Sequence, residues 1–314
     1  MISTMQNKEK KLSQWKYMIW PFSVCLIIVV ALNVLFLHLT SKPYPGSERI
    51  IREAAAKELG KDPNELNDED YLQIASLSLQ LKDSYNAFDI KYLEKFKNLR
   101  GLSITSYKSP RSDTPTWKKI LEKIHIFSHA KKVSIDLSPL KKIDNLNSLS
   151  LERVQIKDLR PLNNHTNLQN LSLIGSSISN LKTIKNLNNL EMLDLTKTNI
   201  VDITPLKYLT SLKRLGLGQT RVSNLDSLCE LVNLWDLNLS ETRIGNGDLY
   251  ALNKLPNLSF LYLRATQISS LEPLKGCRKL SMLSIEDCTN IKDEQIEELK
   301  KILPKLIIYQ VIAL

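Results

Sequence analysis

The sequence predicts an α/β solenoid, in which stacked coils share one leucine core and form a concave parallel β-sheet, preceded by one transmembrane helix. Two observations predict this fold. The first is a leucine pattern that recurs every 22 residues from Leu146 onward, apart from one 24-residue unit before Leu258. The second is residues 17–39, which contain no Lys, Arg, Asp or Glu. At a rise of about 1.5 Å per residue, a helix of that length crosses the hydrocarbon core of a bilayer.

Residues 1–16 precede the apolar run and are predicted to be a basic cytoplasmic tail. Their lysines outnumber Glu9, and Trp15, Tyr17 and Trp20 lie near the start of the run, where aromatic rings suit the headgroup layer. The positive-inside rule then predicts a single-pass, type II protein of the cell membrane, with a signal anchor and a periplasmic or extracellular repeat domain. A cleaved signal peptide is the alternative, but no small-x-small cleavage site follows the run. A cytoplasm-facing regulator would require the reverse topology.

Residues 40–46 are predicted to be a linker, and residues 47–73 a helical N-terminal cap. Pro43 and Pro45 favour an extended linker. A cap is physically required, because the first coil of a solenoid would otherwise expose its leucines to water. Apolar residues at helical spacing are predicted to cover that coil: Ile50, Ile51, Ala55 and Leu59.

Each 22-residue unit places apolar residues at positions 1, 4 and 6, a small residue at position 9 and an aliphatic residue at position 11. Alternate side chains of a short strand point to one side, and the remaining residues suffice to turn back alongside it. No coil buries its leucines alone, so neighbouring coils must stack. The triads are Leu146/Leu149/Leu151, Leu168/Leu171/Leu173, Leu190/Leu193/Leu195, Leu212/Leu215/Leu217, Leu234/Leu237/Leu239, Leu258/Leu261/Leu263 and Leu280/Leu283/Ile285.

Position 9 carries a hydroxyl or thiol in six consecutive units. Such a side chain turned inward can bond backbone groups that a tight turn leaves unpaired. The residues are Ser176, Thr198, Thr220, Thr242, Thr266 and Cys288. Farther along three of the units, a proline followed by leucine marks the convex return: Pro161-Leu162, Pro205-Leu206 and Pro273-Leu274.

With these motifs the sequence resembles the 22-residue leucine-rich repeats of bacterial internalin-like and phosphatase-regulator-like proteins. The resemblance covers roughly residues 45–314 and implies a right-handed horseshoe with repeats over residues 74–305. Degraded triads extend the pattern toward the N-terminus at Ile74/Leu77/Leu79, Leu99/Leu102/Ile104 and Ala130/Val133/Ile135. The last unit is longer and is predicted to contain a true helix, and residues 306–314 are predicted to be a closing strand.

Residues 105–129 interrupt the repeats as a predicted basic helical insertion. Apolar residues at helical spacing predict that one face of this helix packs on the solenoid while its lysines lie in solvent. A solvated helix face is the simpler interpretation. The alternative is contact with anionic lipid or envelope polymer, which would make the protein a structural envelope component. The candidate residues for that contact are Lys108, Arg111, Lys118, Lys119, Lys123, Lys131 and Lys132.

The sequence contains no motif typical of an enzyme. P-loop, GxSxG, HExxH and dinucleotide-binding patterns do not occur, and neither CxxC nor a Cys/His metal spacing is present. His165 occupies a core position of the repeat, and Cys229, Cys277 and Cys288 are predicted to be core residues rather than disulfide partners. The sequence therefore predicts no catalysis, cofactor, metal or small-molecule substrate. Nucleic acid is not expected either, because with the predicted topology the basic residues would face away from the cytoplasm.

Function in a solenoid usually lies on the concave sheet, at the positions between the leucines. In the C-terminal half these positions combine aromatic residues with arginine, the types enriched at interface hot spots. The candidates for binding a protein partner are Arg214, Arg221, Trp235, Arg243, Phe260, Tyr262 and Arg264. The alternative is an ordinary solvated surface with internal ion pairs, since Asp236, Glu241, Glu286 and Asp287 lie among them.

Overall fold

A computed structural model describes residues 46–82, 87–107, 132–178 and 180–310. The predicted tail at residues 1–16 and the predicted membrane span at residues 17–39 lie outside these ranges, as do nearly all of the predicted linker and most of the insertion. Among the described residues no helix is both long and apolar enough to cross a membrane.

The predicted N-terminal cap consists of two helices, α1 (Ser47–Leu59) and α2 (Asp68–Gln73). Helix α1 buries Ile51 and Ala55 completely, as their helical spacing predicted. It ends at Gly60, whose φ of +65° is the left-handed conformation that glycine adopts without steric strain. Helix α2 begins with a capping box, in which the Asn67 side chain accepts hydrogen bonds from backbone N–H groups and the Asp70 carboxylate accepts one from Asn67.

The repeats form one parallel sheet, which comprises ten strands in the described part of the chain. Neighbouring strands come from successive coils, and leucines of successive coils stand in register, as in Leu193, Leu215 and Leu237. The strands are β1 (Ser76–Lys82), β3 (Gly101–Tyr107), β5 (Ser148–Glu152), β7 (Asn170–Ser172), β8 (Met192–Asp194), β9 (Arg214–Gly216), β10 (Asp236–Asn238), β11 (Phe260–Tyr262), β12 (Met282–Ser284) and β13 (Ile307–Tyr309). The α/β solenoid with a parallel sheet is therefore confirmed.

The core lies on one side of this sheet and is continuous from the cap to the last coil. Burial alternates along the strands, as the predicted spacing requires. The position-9 hydroxyls point inward as predicted: the hydroxyl groups of Thr198, Thr220 and Thr242 each donate a 2.6 Å hydrogen bond to the carbonyl three residues earlier. Each of these three coils thereby satisfies a buried carbonyl with its own side chain, whereas the Ser176 hydroxyl donates to the Leu151 carbonyl of the preceding coil.

On the opposite side of the core, most coils return through a short 3₁₀ helix rather than an α-helix. A coil of about 22 residues leaves few residues for the return, and proline near the start of several of these helices fixes φ. The 3₁₀ helices are Lys91–Lys95, Ser138–Lys142, Arg160–Leu162, Lys182–Asn186, Thr204–Tyr208, Asp226–Glu230, Asp248–Lys254 and Glu272–Gly276.

The described residues also form a second, three-stranded parallel sheet, which shows that one of the predicted coils is not a coil of its own. It comprises β2 (Ala87–Phe88), β4 (Ser134–Ile135) and β6 (Gln155–Ile156). In the main sheet β3 pairs directly with β5, so no strand from residues 130–135 lies between them. The predicted triad Ala130/Val133/Ile135 is therefore wrong as a separate coil. Val133 and Ile135 instead complete the coil that begins at Leu99, after the inserted residues.

The boundary of the insertion also differs from the predicted residues 105–129. Strand β3 continues to Tyr107, and Thr105 is paired with Glu152 of β5. The described chain resumes at Lys132. Residues 105–107 extend the sheet because their side chains keep the alternating burial of the strand, so the insertion begins after them.

Asparagines just before the strands form a second ladder that the repeat pattern did not predict. The side-chain amides of Asn145, Asn189, Asn233 and Asn257 each donate a hydrogen bond to a backbone carbonyl of the preceding coil, at 2.8 to 3.2 Å. These bonds satisfy carbonyl groups at the turn into each strand. The asparagines therefore hold neighbouring coils together.

The last coil ends with an α-helix followed by a strand, of which Ile307–Tyr309 are described out of the predicted residues 306–314. Helix α3 (Asp293–Ile302) buries Ile296 and Leu299 against the core, and its first turn carries Asp293 and Glu294. Acidic residues in the first turn stabilise a helix through its dipole. Strand β13 then pairs with β12 and forms the end of the described sheet.

Candidate protein-interaction surface

The strand side chains that point away from the core form what we call the open face of the sheet. Two rows run across it, because each strand contributes one residue before its central leucine or isoleucine and one after it. In the last five strands the first row is Arg214, Asp236, Phe260, Met282 and Ile307. The second row is Gly216, Asn238, Tyr262, Ser284 and Tyr309.

Apolar and aromatic side chains are concentrated at the C-terminal end of these rows. The rings of Trp235 and Phe260 meet edge to face, with centroids 5.5 Å apart, a favourable geometry for aromatic pairs. Met282, Ile307 and Tyr309 continue this surface to the last strand, although the sequence prediction did not include them. Reading the open positions of the closing strand in the same register would have found Ile307 and Tyr309. We call these five residues, together with Tyr262, the aromatic surface: Trp235, Phe260, Tyr262, Met282, Ile307 and Tyr309.

Arg214 is placed at the border of the aromatic surface and is held there by two interactions. Its Nε donates a 3.1 Å hydrogen bond to the Asp236 carboxylate on the next strand. Its guanidinium also lies over the Trp235 ring, 5.6 Å from the centroid, within cation–π range. The arginine side chain is about half exposed, whereas that of Asp236 is largely covered. Arg214 therefore neutralises Asp236 and supports the indole ring.

Arg264 lies just beyond β11 and is the centre of a cluster of acidic residues. Its guanidinium contacts Asp287 at 2.9 Å and lies within 3.8 Å of Glu241 and Glu286. Gln219 donates a further hydrogen bond to Glu241 at 2.8 Å. The predicted internal ion pairs are therefore present on this surface, and Arg264 is surrounded by more negative charge than it neutralises.

Arg221 and Arg243 do not lie on the strands, where the sequence prediction placed them. Each follows a buried position-9 threonine, and its backbone N–H bonds the preceding coil, to Ile200 and Val222 respectively. Both side chains are exposed and have no ion-pair partner among the described residues. The register explains this difference, because position 10 points away from the sheet onto the flank of the coil.

Tyr262 lies in the middle of the aromatic surface and is half-buried. Burial raises the pKa of its phenol, and the nearby Asp236 carboxylate raises the pKa further. The hydroxyl therefore stays protonated at neutral pH. It has no hydrogen-bond partner among the described residues, so it can donate to, or accept from, a bound molecule.

Of the predicted basic contact residues, six lie outside the described ranges: Lys108, Arg111, Lys118, Lys119, Lys123 and Lys131. Lys132 is described, and its ammonium donates a hydrogen bond to the backbone carbonyl of Gly175. Burial lowers the pKa of this lysine. Lys132 is thus engaged within the solenoid, where it links the coil that contains the insertion to the second coil after it.

Three further features of the described residues bear on whether a second site exists: a polar cleft, the placement of possible metal ligands and the environment of His165. A cleft of about 500 Å³ lies beside the amino ends of several strands, and its lining is polar, including Asn147, Gln169 and Glu191. No group of three or more His, Cys, Asp or Glu residues in the described ranges is arranged to hold a metal ion. His165 is buried as predicted, and its Nε2 lies 3.1 Å from the carbonyls of Leu140 and Ile143.

Comparison with known proteins identifies the fold. No protein-family model and no curated protein matches the sequence. Among solved structures, internalin C2 of Listeria monocytogenes is similar, with 23% identity, a TM-score of 0.57, and coverage of 86% of this chain and 100% of the internalin. A leucine-rich-repeat protein of Leptospira interrogans, LIC12759, matches with 18% identity and a TM-score of 0.50 over 77% of this chain and 74% of its own.

A plant peptide hormone receptor, RGFR1, solved in complex with RGF2, is also similar. It shows 20% identity and a TM-score of 0.50, covering 78% of this chain and 41% of the receptor. At these identities the likeness establishes the leucine-rich-repeat fold with internalin-like repeats, as the sequence resemblance predicted. A shared fold does not identify a binding partner, so evidence for a partner must come from the open face itself.

Proposed function

We propose that this protein binds a protein partner, without catalysis, through the C-terminal part of its open face. The observation that carries the proposal is the aromatic surface, centred on the paired rings of Trp235 and Phe260. Aromatic residues flanked by arginine are enriched at the centres of interfaces. Leucine-rich-repeat neighbours include a receptor solved with a peptide hormone, which supports this use of the fold.

The aromatic surface favours binding over an ordinary solvated surface for a specific reason. Arg214 and Arg264 are already neutralised by carboxylates on neighbouring coils, so a partner can cover the rings without burying an unpaired arginine. Tyr262 offers a phenol with no partner within the described structure. A covered aromatic centre with polar groups around it is the arrangement of a protein interface.

We place this domain outside the cytoplasm on a transmembrane anchor at residues 17–39, which would present the open face to partners in the periplasm or beyond the cell. The uncharged run and the lysines before it support this topology. Fusing alkaline phosphatase or a fluorescent protein to the C-terminus tests it, since the phosphatase is active only outside the cytoplasm. A fluorescent C-terminal fusion with inactive phosphatase would overturn the topology and leave the binding surface in place.

The binding test uses a photo-crosslinking amino acid at Tyr262 in the full-length protein, in native membranes. Tyr250 is the control, because it is 55% exposed but lies in a 3₁₀ helix away from the open face. We expect a discrete crosslinked product from position 262 and none from position 250. Mass spectrometry then identifies the partner in that product.

Binding to the identified partner is next measured with the purified full-length protein. The double substitution Trp235→Ala and Tyr262→Ala is expected to weaken binding by at least about 100-fold, since hot-spot truncations cost about 2 kcal/mol or more each. Thermal unfolding should change little, because both side chains are only half-buried. Identical crosslinking from both positions, or unchanged affinity in the double variant, would exclude this surface.

The competing function is a structural envelope component that contacts an anionic surface through the basic insertion. Substituting Lys118, Lys119 and Lys123 with Gln separates the two functions. The envelope function would be favoured if this variant lost its association with the envelope while the Trp235→Ala and Tyr262→Ala variant kept it.

A further inference from the structure

The two ends of the main sheet are finished differently. Strand β1 packs beneath α1, whose Ile51 and Ala55 are fully buried. Strand β13 has no further element beside it among the described residues, and its side chains Ile307 and Tyr309 are 58% and 49% exposed. Proteins usually cover an edge strand, or protect it with charge or proline, because its backbone groups can pair with another chain.

The backbone of β13 offers one specific pairing site. The N–H of Ile307 donates to Ser281 at 2.9 Å, and the carbonyl of Tyr309 accepts from Ile285 at 2.9 Å. These groups face β12. Because successive backbone groups of a strand point in opposite directions, the N–H and carbonyl of Ile308 both point away from the sheet. In an antiparallel pair, two residues directly opposite each other exchange both of these bonds.

We propose that β13 pairs with β13 of a second copy of this chain, antiparallel, about a two-fold axis at Ile308. Each Ile308 then donates to and accepts from the other, and each Ile307 lies opposite Tyr309 of the second copy. Pairs of an aromatic and a β-branched residue are among the favourable cross-strand neighbours. Residues 306–310 carry no charge, so the pairing brings no like charges together within the strand.

Helix α3 extends the contact beyond the strand. A stable interface buries about 800 Å² per partner, which is more than a three-residue strand edge provides. The Gln295 side chain donates to the Ser269 carbonyl at 3.1 Å, and the Glu298 carboxylate pairs with Lys275 at 2.6 Å. One side of α3 therefore faces the preceding coil.

The other exposed side of α3 faces the end of the solenoid and is polarised in charge. By helical spacing it carries Asp293 and Glu297 in the first half and Lys300 and Lys301 in the second. A two-fold axis perpendicular to the sheet places α3 of the second copy alongside in the opposite direction. The acidic half of each helix then meets the basic half of the other, which is the charge complementarity that such a pairing requires.

The joined sheets keep their open faces on the same side. Ile307 and Tyr309 of both copies then lie at the centre of one continuous aromatic surface. This dimer does not depend on the proposed partner: the Trp235→Ala and Tyr262→Ala variant is expected to dimerise normally, so failure of partner binding and failure of dimerisation are distinguishable.

The first test measures the mass of the full-length protein in detergent over a wide concentration range, by sedimentation equilibrium. We expect a concentration-dependent dimer, and expect Ile307→Lys to weaken it by at least about tenfold. The control is Val201→Lys, since Val201 is 57% exposed and far from β13 in the sheet order. A protein that stays monomeric, or a dimer that Ile307→Lys leaves intact, would overturn the proposal.

The second test reverses the charges of α3. One variant carries Lys300→Glu and Lys301→Glu, and the other carries Asp293→Lys and Glu297→Lys. Each alone is expected to be mostly monomeric, while an equimolar mixture recovers a heterodimer because an acidic helix then meets a basic one. Circular dichroism confirms that each variant is folded. Folded variants that dimerise as well alone as when mixed would refute the role of the helix.

Discussion

Replacing Thr220 by valine tests how the coils satisfy their buried carbonyl groups. Thr220 is 4% exposed, and its hydroxyl donates a 2.6 Å hydrogen bond to the carbonyl of the fully buried Leu217. That hydroxyl is the one donor to this carbonyl among the described residues. Valine has almost the same shape, so the substitution removes the bond without opening a cavity.

The expected size of the effect follows from what the carbonyl loses. A buried acceptor left without a partner costs about 1 to 3 kcal/mol, so Thr220→Val should lower the free energy of unfolding by that amount. Thr198 supplies a matched comparison. The Leu195 carbonyl accepts from the Thr198 hydroxyl at 2.6 Å and also from the Thr198 backbone N–H at 3.2 Å. Thr198→Val therefore leaves one bond and should cost about 0.5 to 1.5 kcal/mol.

Equilibrium urea unfolding, followed by far-ultraviolet circular dichroism and tryptophan fluorescence, measures both variants. The midpoint should fall in both, and farther for Thr220→Val, with an unchanged denaturant slope. Equal losses in the two variants would refute the explanation based on an orphaned carbonyl. A Thr220→Val protein as stable as the parent would show that the position-9 hydroxyls do not stabilise the fold.

Two further predictions concern ionisation. The ammonium of Lys61, 2.5 Å from the Asp70 carboxylate, and the N–H of Asn67 lower the pKa of Asp70. The stabilisation of the folded state by ionised Asp70 is therefore complete above the ordinary Asp pKa of about 3.9. It is lost as pH falls through the lower pKa of the folded state. Urea unfolding should therefore show Asp70→Asn to be less stable than the parent at pH 7, and the difference should shrink progressively in strong acid; a constant difference would contradict this. Burial raises the pKa of the Cys277 thiol to about 11, so in the native protein near pH 8 a maleimide should label Cys229 before Cys277, and peptide mass spectrometry showing the reverse order would disprove it.

The repeat core was predictable because its signal is periodic. An apolar residue, most often leucine, at positions 1, 4 and 6 of successive coils has one physical use, which is burial between neighbouring coils. The strand register and the inward-pointing side chains at position 9 follow from that pattern, and the structure confirms both. The cap was predictable for a related reason, since Ile51 and Ala55 share one face of a helix.

The coil at residues 130–135 was mispredicted because spacing alone does not say which sheet a strand joins. Val133 and Ile135 alternate like the leucines of the main sheet, yet they pair in the second sheet. The sequence separation between Leu99 and Leu146 could have shown that residues 130–135 do not form a separate coil. Those 47 positions are one 22-residue coil with 25 further residues inside it, not two coils.

The sequence predicted the candidate site from residue types alone. The structure shows, from the register of the strands, which of those residues lie on the open face and which do not. Arg214 and Asp236 are 22 residues apart and therefore adjacent across two strands. Arg264 and Asp287, 23 residues apart, meet in the same way just beyond β11 and β12. Reading the sequence across coils finds such pairs. The same procedure moves Arg221 and Arg243 off the sheet, because both follow position 9.

The four arginines of the candidate site differ in whether they already have an acidic partner, and this difference affects how each could contribute to binding. Covering a charge that already has a partner on the same molecule requires little new compensation, whereas an unpaired arginine must receive an acidic group from the partner or stay in water. Arg214 and Arg264 belong to the first kind, and Arg221 and Arg243 to the second. Under the proposed function, the binding energy should therefore come mainly from the aromatic surface, and the flank at Arg221 and Arg243 should favour partners that carry negative charge at the edge of the contact.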